Sequence, residues 1–204
     1  SGSSSIVFKV TDLAGNTGSS SGNSLYTLDT TAPTLTVSSV SLSADTGSSA
    51  SDQTTYTAAQ TIRATLSSAL TTGDILYGSL DGGTNWSAIT SMVSGTAITW
   101  TNATLSGSSS IVFKVIDLAG NIGATTGSSL YTLDTTAPIL TVSSVSLSAD
   151  TGTSSSDLVT SIAAQTISAL LSNALTVGDI LYGSVDGGAN WTDITSMVSG
   201  TAIT

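Results

Sequence analysis

Apolar and polar residues alternate with a period of two along most of the chain, in short runs broken by Gly, Asp, Ser and Thr. That pattern predicts half-buried strands rather than helices. Between residues 31 and 135 the predicted strands are Leu35 to Leu42, Gln60 to Leu66, Ile75 to Leu80, Asn85 to Ile89, Thr96 to Thr101, Ile111 to Val115 and Ser129 to Leu133. Thr71-Thr72-Gly73-Asp74 predicts a turn and Ser43 to Asp52 a polar loop. Asp81-Gly82-Gly83 predicts a tight hairpin, because Gly accepts the positive φ such turns require. Seven short strands in about 100 residues predict an all-β, immunoglobulin-like sandwich.

The pattern then recurs. Residues 1–10 return at 106–115, and Leu25 to Pro33 returns at Leu130 to Pro138. The offset is 105 without a gap, and about four residues in five match across the overlap. A period of that size suits a tandem array of β-sandwiches, not a solenoid. The only two prolines, Pro33 and Pro138, mark linkers, since Pro ends strand pairing and stiffens an extended connection. This reading divides the chain into the last two strands of one module (1–30), a complete module (31–135) and the first strands of a third (136–204). Two strands alone bury no core, so 1–30 is expected to need a partner.

Composition narrows the chemistry. The chain has 204 residues, 13 acidic groups, three basic ones, no His and no Cys. Ser-His-Asp and Cys-His catalysis, disulfides and N/S-ligated zinc are excluded. A net charge of −10 argues against nucleic acid as a partner. There is no apolar run long enough to predict a membrane span. An enzyme is not expected: paired carboxylates exist, but loops alone carry no argument for pocket chemistry.

Asp12-Leu13-Ala14-Gly15-Asn16 with Leu28-Asp29-Thr30-Thr31-Ala32-Pro33 resembles the signature of bacterial immunoglobulin-like repeats, and both phrases recur at Asp117–Asn121 and Leu133–Pro138. Those repeats form extender regions of giant secreted adhesins and biofilm-associated surface proteins. The resemblance implies an extracellular, cell-surface role, modules stacked head to tail, and Ca²⁺ at the junctions. A second likeness is local. Ser79 to Trp86 and Ser184 to Trp191 resemble the S-x-D-x-G-x-x-W hairpin called an Asp box. Here it is read as structural, with Asp81 accepting turn amides and Trp86 in the core.

Six aspartates per period recur: 12/117, 29/134, 45/150, 52/157, 74/179 and 81/186. As turn residues they would shape loops and keep the surface soluble. As ligands they would suit Ca²⁺, a hard cation that takes oxygen. In a seven-strand sandwich, the linker residue Asp29 should meet Asp74, Asp117 and Asn121 at one end. Asp134 and Asp179, with Asp12 and Asn16, are the corresponding candidates in the other copies. Asp45, Asp52 and Asp81, and likewise Asp150, Asp157 and Asp186, should gather at the opposite end. Carboxylates that converge repel, and with so few basic groups a divalent cation is the natural counter-charge.

Three functions follow from these readings. The first is a stiff structural extender or filament. The second is a carbohydrate- or host-ligand-binding module using the Trp hairpin, although Trp86, Trp100, Trp191, Tyr77 and Tyr182 are expected mainly in the core. The third is a self-assembling fibre, because residues 1–30 supply strands that 136–204 lack.

Overall fold

A computed structural model provides the structure and describes residues 1–19 and 21–204. The fold is almost wholly β, and the chain divides into two compact units, Ser1–Thr136 and Ala137–Thr204.

The first unit opens with a hairpin of β1 (Gly2–Phe8) and β2 (Ser21–Leu28), paired antiparallel with Gly2 opposite Leu28. Every residue of β1 is exposed. Nine further strands follow: β3 (Val37–Leu42), β4 (Thr54–Thr55), β5 (Ala59–Leu66), β6 (Ile75–Ser79), β7 (Ser87–Ala88), β8 (Val93–Ser94), β9 (Ala97–Thr104), β10 (Ser109–Ile116) and β11 (Thr126–Leu133). They form a four-stranded sheet, β3-β5-β9-β8, and a five-stranded sheet, β4-β11-β10-β6-β7.

The two sheets enclose one core. Along β5 the alternation turns Gln60, Ile62, Ala64 and Leu66 inward and leaves Arg63 outside. Leu76 of β6, Ile98 and Trp100 of β9, Ile111, Phe113 and Val115 of β10, and Tyr131 of β11 fill the rest. Each buried Leu, Ile or Phe removes enough apolar surface from water to contribute roughly 1.5–3 kcal/mol. Trp100 and Phe113 meet edge to face across the core, with ring centroids 6.3 Å apart. Gly78 of β6 makes room for them: a Cβ there would lie 2.5 Å from the Trp100 ring.

Two elements were not legible as strands. β4 falls in a Thr-rich stretch with no apolar alternation, yet it pairs parallel with β11, Thr54 opposite Thr132 and Thr55 opposite Leu133. Thr55 is buried and donates its hydroxyl to the Ala44 carbonyl at 2.8 Å. Buried Gln60 completes this polar girder: its Oε1 accepts from the Ala44 amide at 3.0 Å, and its Nε2 donates to the carbonyls of Ala44 and Thr57. A polar loop is thereby tied to the sandwich by satisfied hydrogen bonds. The other element, β8, is two residues long and follows a single 3₁₀ turn, Thr90–Met92.

The second unit contains β12 (Val142–Leu147), β13 (Ile167–Leu171), β14 (Tyr182–Gly183), β15 (Thr192–Asp193), β16 (Val198–Ser199) and β17 (Ala202–Ile203). The sheet order is β12-β13-β17-β16, with β14-β15 as a separate pair. Its core is small: Ala169, Leu171 and Ile203 are buried, with Leu175, Leu181, Ile194 and Val198 packed partly against them.

The packing of Gly78 generates a test. Gly78→Ala drives a methyl group against the Trp100 ring, 2.5 Å from its nearest atom, and should destabilise the first unit by about 1–3 kcal/mol, the usual cost of overpacking. Gly2→Ala, where a Cβ meets nothing within 4 Å, should leave stability unchanged. Urea or thermal unfolding followed by Trp fluorescence measures both.

Candidate functional site: the linker end and its aspartates

Three segments come together at one end of the first unit, as the sandwich topology requires. They are the linker around Asp29 to Pro33, the turn Thr71 to Asp74, and the loop Asp117 to Gly123. The Asn121 amide donates from Nδ2 to the Asp29 carbonyl at 3.1 Å. A Cβ at Gly123 would lie 2.7 Å from the Pro33 carbonyl oxygen, so the linker passes too close for any other residue. Leu118 covers Gly73 so tightly that a Cβ on Gly73 would come within 2.9 Å of it.

The carboxylates themselves turn back into their own loops. Asp117 accepts from the amides of Ala119 and Asn121 at 2.9 and 2.8 Å on one oxygen, and from Asn121 Nδ2 at 2.9 Å on the other. Asp12 does the same with Ala14 and Asn16, and those bonds, led by Asn16 Nδ2, hold its pKa below the ordinary value. This is an Asx turn, in which the side chain replaces a backbone turn acceptor. Gly15 and Gly120 supply the positive φ that closes each loop, 89° and 91°. Buried Asp74 accepts from the amide and hydroxyl of Thr71. Asp179 repeats this with Thr176, whose hydroxyl and amide lower its pKa. Asp29 accepts from the Thr31 amide at 3.0 Å and the Ser1 hydroxyl at 2.7 Å, and Asp134 from the Thr136 amide at 2.8 Å. Among the described residues, no three acidic side chains converge on a point that could hold a metal ion. What Asn121 brings together at this end is linker and loop, not a ring of carboxylates.

The loop Asp45 to Gln53 has a different character. Asp45 Oδ2 accepts from the Gln53 amide at 2.9 Å, but its Oδ1 is buried with no hydrogen-bond partner among the described residues. Asp150, 105 residues on, repeats both features, with the Leu158 amide at 3.0 Å. Gln53 Oε1 is also buried without a partner. Asp52 and Asp157 accept from the amides of Thr54 and Val159. The Asp134 amide donates to the Thr55 carbonyl at 2.9 Å, which places the following linker beside this loop.

The Asp-box hairpin is built as a turn. Asp81 accepts from the Ser79 hydroxyl (2.7 Å), the Asn85 amide (2.8 Å) and Asn85 Nδ2 (2.6 Å). These donors, the Asn85 amide foremost, depress its pKa to about 2, and Asp186 behaves alike. The tryptophans require a correction. Trp100 is in the core, but Trp86 is only half-buried, on the outer face of the sheet, and Trp191 and Tyr182 are exposed. The reason is the pleat of β6: Leu76 and Gly78 face inward, so Tyr77 and the hairpin beyond it face outward. There the Lys114 ammonium sits 4.1 Å from the Trp86 ring centroid and 5.8 Å from that of Tyr77. Pairing β10 with β6, Lys114 opposite Tyr77, is what puts the ammonium over these rings.

No protein-family model and no curated protein matches the chain significantly.

The Asp81 geometry sets a pH dependence. A carboxylate whose folded pKa lies below its unfolded value stabilises the fold fully above the unfolded pKa, and that stability is lost as pH falls through the folded pKa. Melting temperature should therefore decline between about pH 4 and pH 2. Asp81→Asn should melt lower than the parent at pH 7, and the two curves should converge near pH 2.

Proposed function

We propose that this chain is a structural extender of a bacterial surface adhesin or surface filament, built from immunoglobulin-like modules placed end to end. The observation that carries the proposal is the fastening of the linker: Asn121 holds the Asp29 carbonyl, and Pro33 lies against Gly123. A linker held at these two points against the module it enters loses part of the freedom that would make a chain of domains coil. The strand orders β3-β5-β9-β8 and β11-β10-β6 match the two sheets of an immunoglobulin sandwich, which supports the module assignment.

Calcium is the second part of the proposal. The fit is best where an oxygen lacks a donor, at Asp45 Oδ1 with Gln53 Oε1, and again at Asp150. Ca²⁺ takes carboxylate and amide oxygens of this kind. Asp117 has both oxygens engaged by turn donors and Asp29 and Asp74 one each, and none of the three holds a buried oxygen without a donor among the described residues. An ion bound only by the folded chain would raise its stability by mass action.

Two measurements test these parts separately. Small-angle scattering of the chain should give a longer, more uniform end-to-end dimension for the parent than for Asn121→Ala; identical profiles would argue against a stiffened linker. Thermal melting with excess calcium should exceed melting in chelator, and the increment should shrink in Asp45→Asn with Asp150→Asn. No increment would make the aspartates turn residues alone.

A further inference from the structure

Two strands of the first unit join the linkers on either side of the complete sandwich. The linker through Pro33 feeds β3, and β11 feeds the linker that begins at Asp134. β3 and β11 belong to different sheets, yet they run side by side in the same direction. At their starts the Val37 amide donates to Thr126 Oγ1 at 3.2 Å, and a Cβ on Gly127 would lie 2.9 Å from Val37. A few residues on, Val40 and Ser129 are joined through the side chain of Gln53. The chain therefore enters at the start of one strand and leaves at the end of its parallel neighbour. Tension between the two linkers pulls β3 and β11 past each other along their length.

Gln53 is the joint between them. Its Nε2 donates to the Val40 carbonyl of β3 at 3.3 Å and to the Ser129 hydroxyl of β11, so one amide spans both sheets. Its carbonyl accepts from the Thr132 amide at 3.0 Å, and the Thr55 carbonyl accepts from the Asp134 amide at 2.9 Å. The last of these bonds lies where the chain leaves β11. The segment is itself anchored: the Gln53 amide donates to Asp45 Oδ2, and buried Thr55 and Gln60 donate to the Ala44 carbonyl. Gln53 has a φ of 59°, in the left-handed region that glycine occupies without strain. A glutamine in that conformation gives up backbone ease for a side chain that reaches both strands. The equivalent position in the second unit, Leu158, keeps a φ of 61° but has no amide to donate.

We propose that Gln53 and β4 form a mechanical clamp, which ties β11 to β3 across the two sheets and makes residues 31–136 resist end-to-end tension. Force along the strands loads the parallel β4–β11 bonds and the antiparallel β10–β11 bonds together, in shear. Force applied at one end of a strand pair opens its bonds one after another and meets less resistance. Forced unfolding is governed by the barrier to opening, not by equilibrium stability, so a few bonds on the loaded path outweigh many in the core. The clamp rests on the extender reading only for the direction of the load. It needs no calcium.

Single-molecule pulling on the full chain in chelator tests this, with pairs of cysteines as handles in a protein that has no native Cys. Handles at Thr31→Cys and Thr135→Cys load β3 and β11 in shear, and opening of the sandwich releases roughly 300 Å of extended chain. Handles at Ser106→Cys and Thr135→Cys, before β10 and after β11, load that strand pair at one end and peel it. The shear pair should need a several-fold higher force. Gln53→Gly removes the bridge at a φ that glycine accepts. It should lower the shear force, leave the peeling force unchanged and barely move the urea midpoint. Gly78→Ala, which disturbs the core and leaves β4 alone, should lower the urea midpoint more and the shear force less. Equal forces in the two geometries overturn the proposal. So does a Gln53→Gly chain that opens at the parent's shear force, or one whose shear force falls no further than that of Gly78→Ala. Linker stiffness is read separately, by scattering of Asn121→Ala, so failure of the clamp is distinguishable from failure of the extender reading.

Discussion

Burial of the inward face of β10 is the interaction on which the rest depends. Ile111, Phe113 and Val115 close the space between the two sheets, and Phe113 meets Trp100 over the glycine gap at position 78. β10 also pairs with a neighbour on each side, β6 and β11. One strand thus supplies both the apolar wedge of the core and the centre of a sheet. Where it is in place, a single core spans residues 37–131; in residues 137–204 three side chains are buried. The contrast reflects close packing: an interior is stable only when filled from both sides.

The aspartates illustrate how local and long-range interactions divide the work. Asp12, Asp117, Asp74 and Asp81 form turns with donors no more than four residues away. Such turns are determined by a few neighbouring residues and form alike in both copies, whether or not the surrounding core is complete. Joining the turns to one another is left to neutral groups: the Asn121 amide, the Pro33 carbonyl and the Leu118 side chain. An end of a domain built this way can carry many carboxylates without bringing their charges together. The residual electrostatic demand sits at Asp45 and Asp150, where one oxygen is buried without a donor.

Much of this was legible in advance. Alternation located β5, β6, β9, β10 and β11 to within a few residues, because a strand with one buried face must write its period into the chain. The turn at Gly73 and the hairpin at Gly82 and Gly83 were legible from residues that tolerate positive φ. β4 was not, since a buried Thr pair that bonds to Ala44 and β11 leaves no apolar signal. The Asp-box hairpin led to an expectation of Trp86 and Trp191 in the core. The pleat of β6 and the hairpin that follows it put them outside.

The sequence by itself determined the strand content, the 105-residue offset, the loop positions of the aspartates and the absence of His and Cys chemistry, because each is written in neighbouring residues or in composition. Only the tertiary structure decided which apolar faces are covered. In nearly identical strands of the same chain, β1 is exposed throughout while β10 buries Ile111, Val112, Phe113 and Val115. Burial is a property of what lies opposite a side chain, and no local pattern of residues encodes whether that opposite face is present.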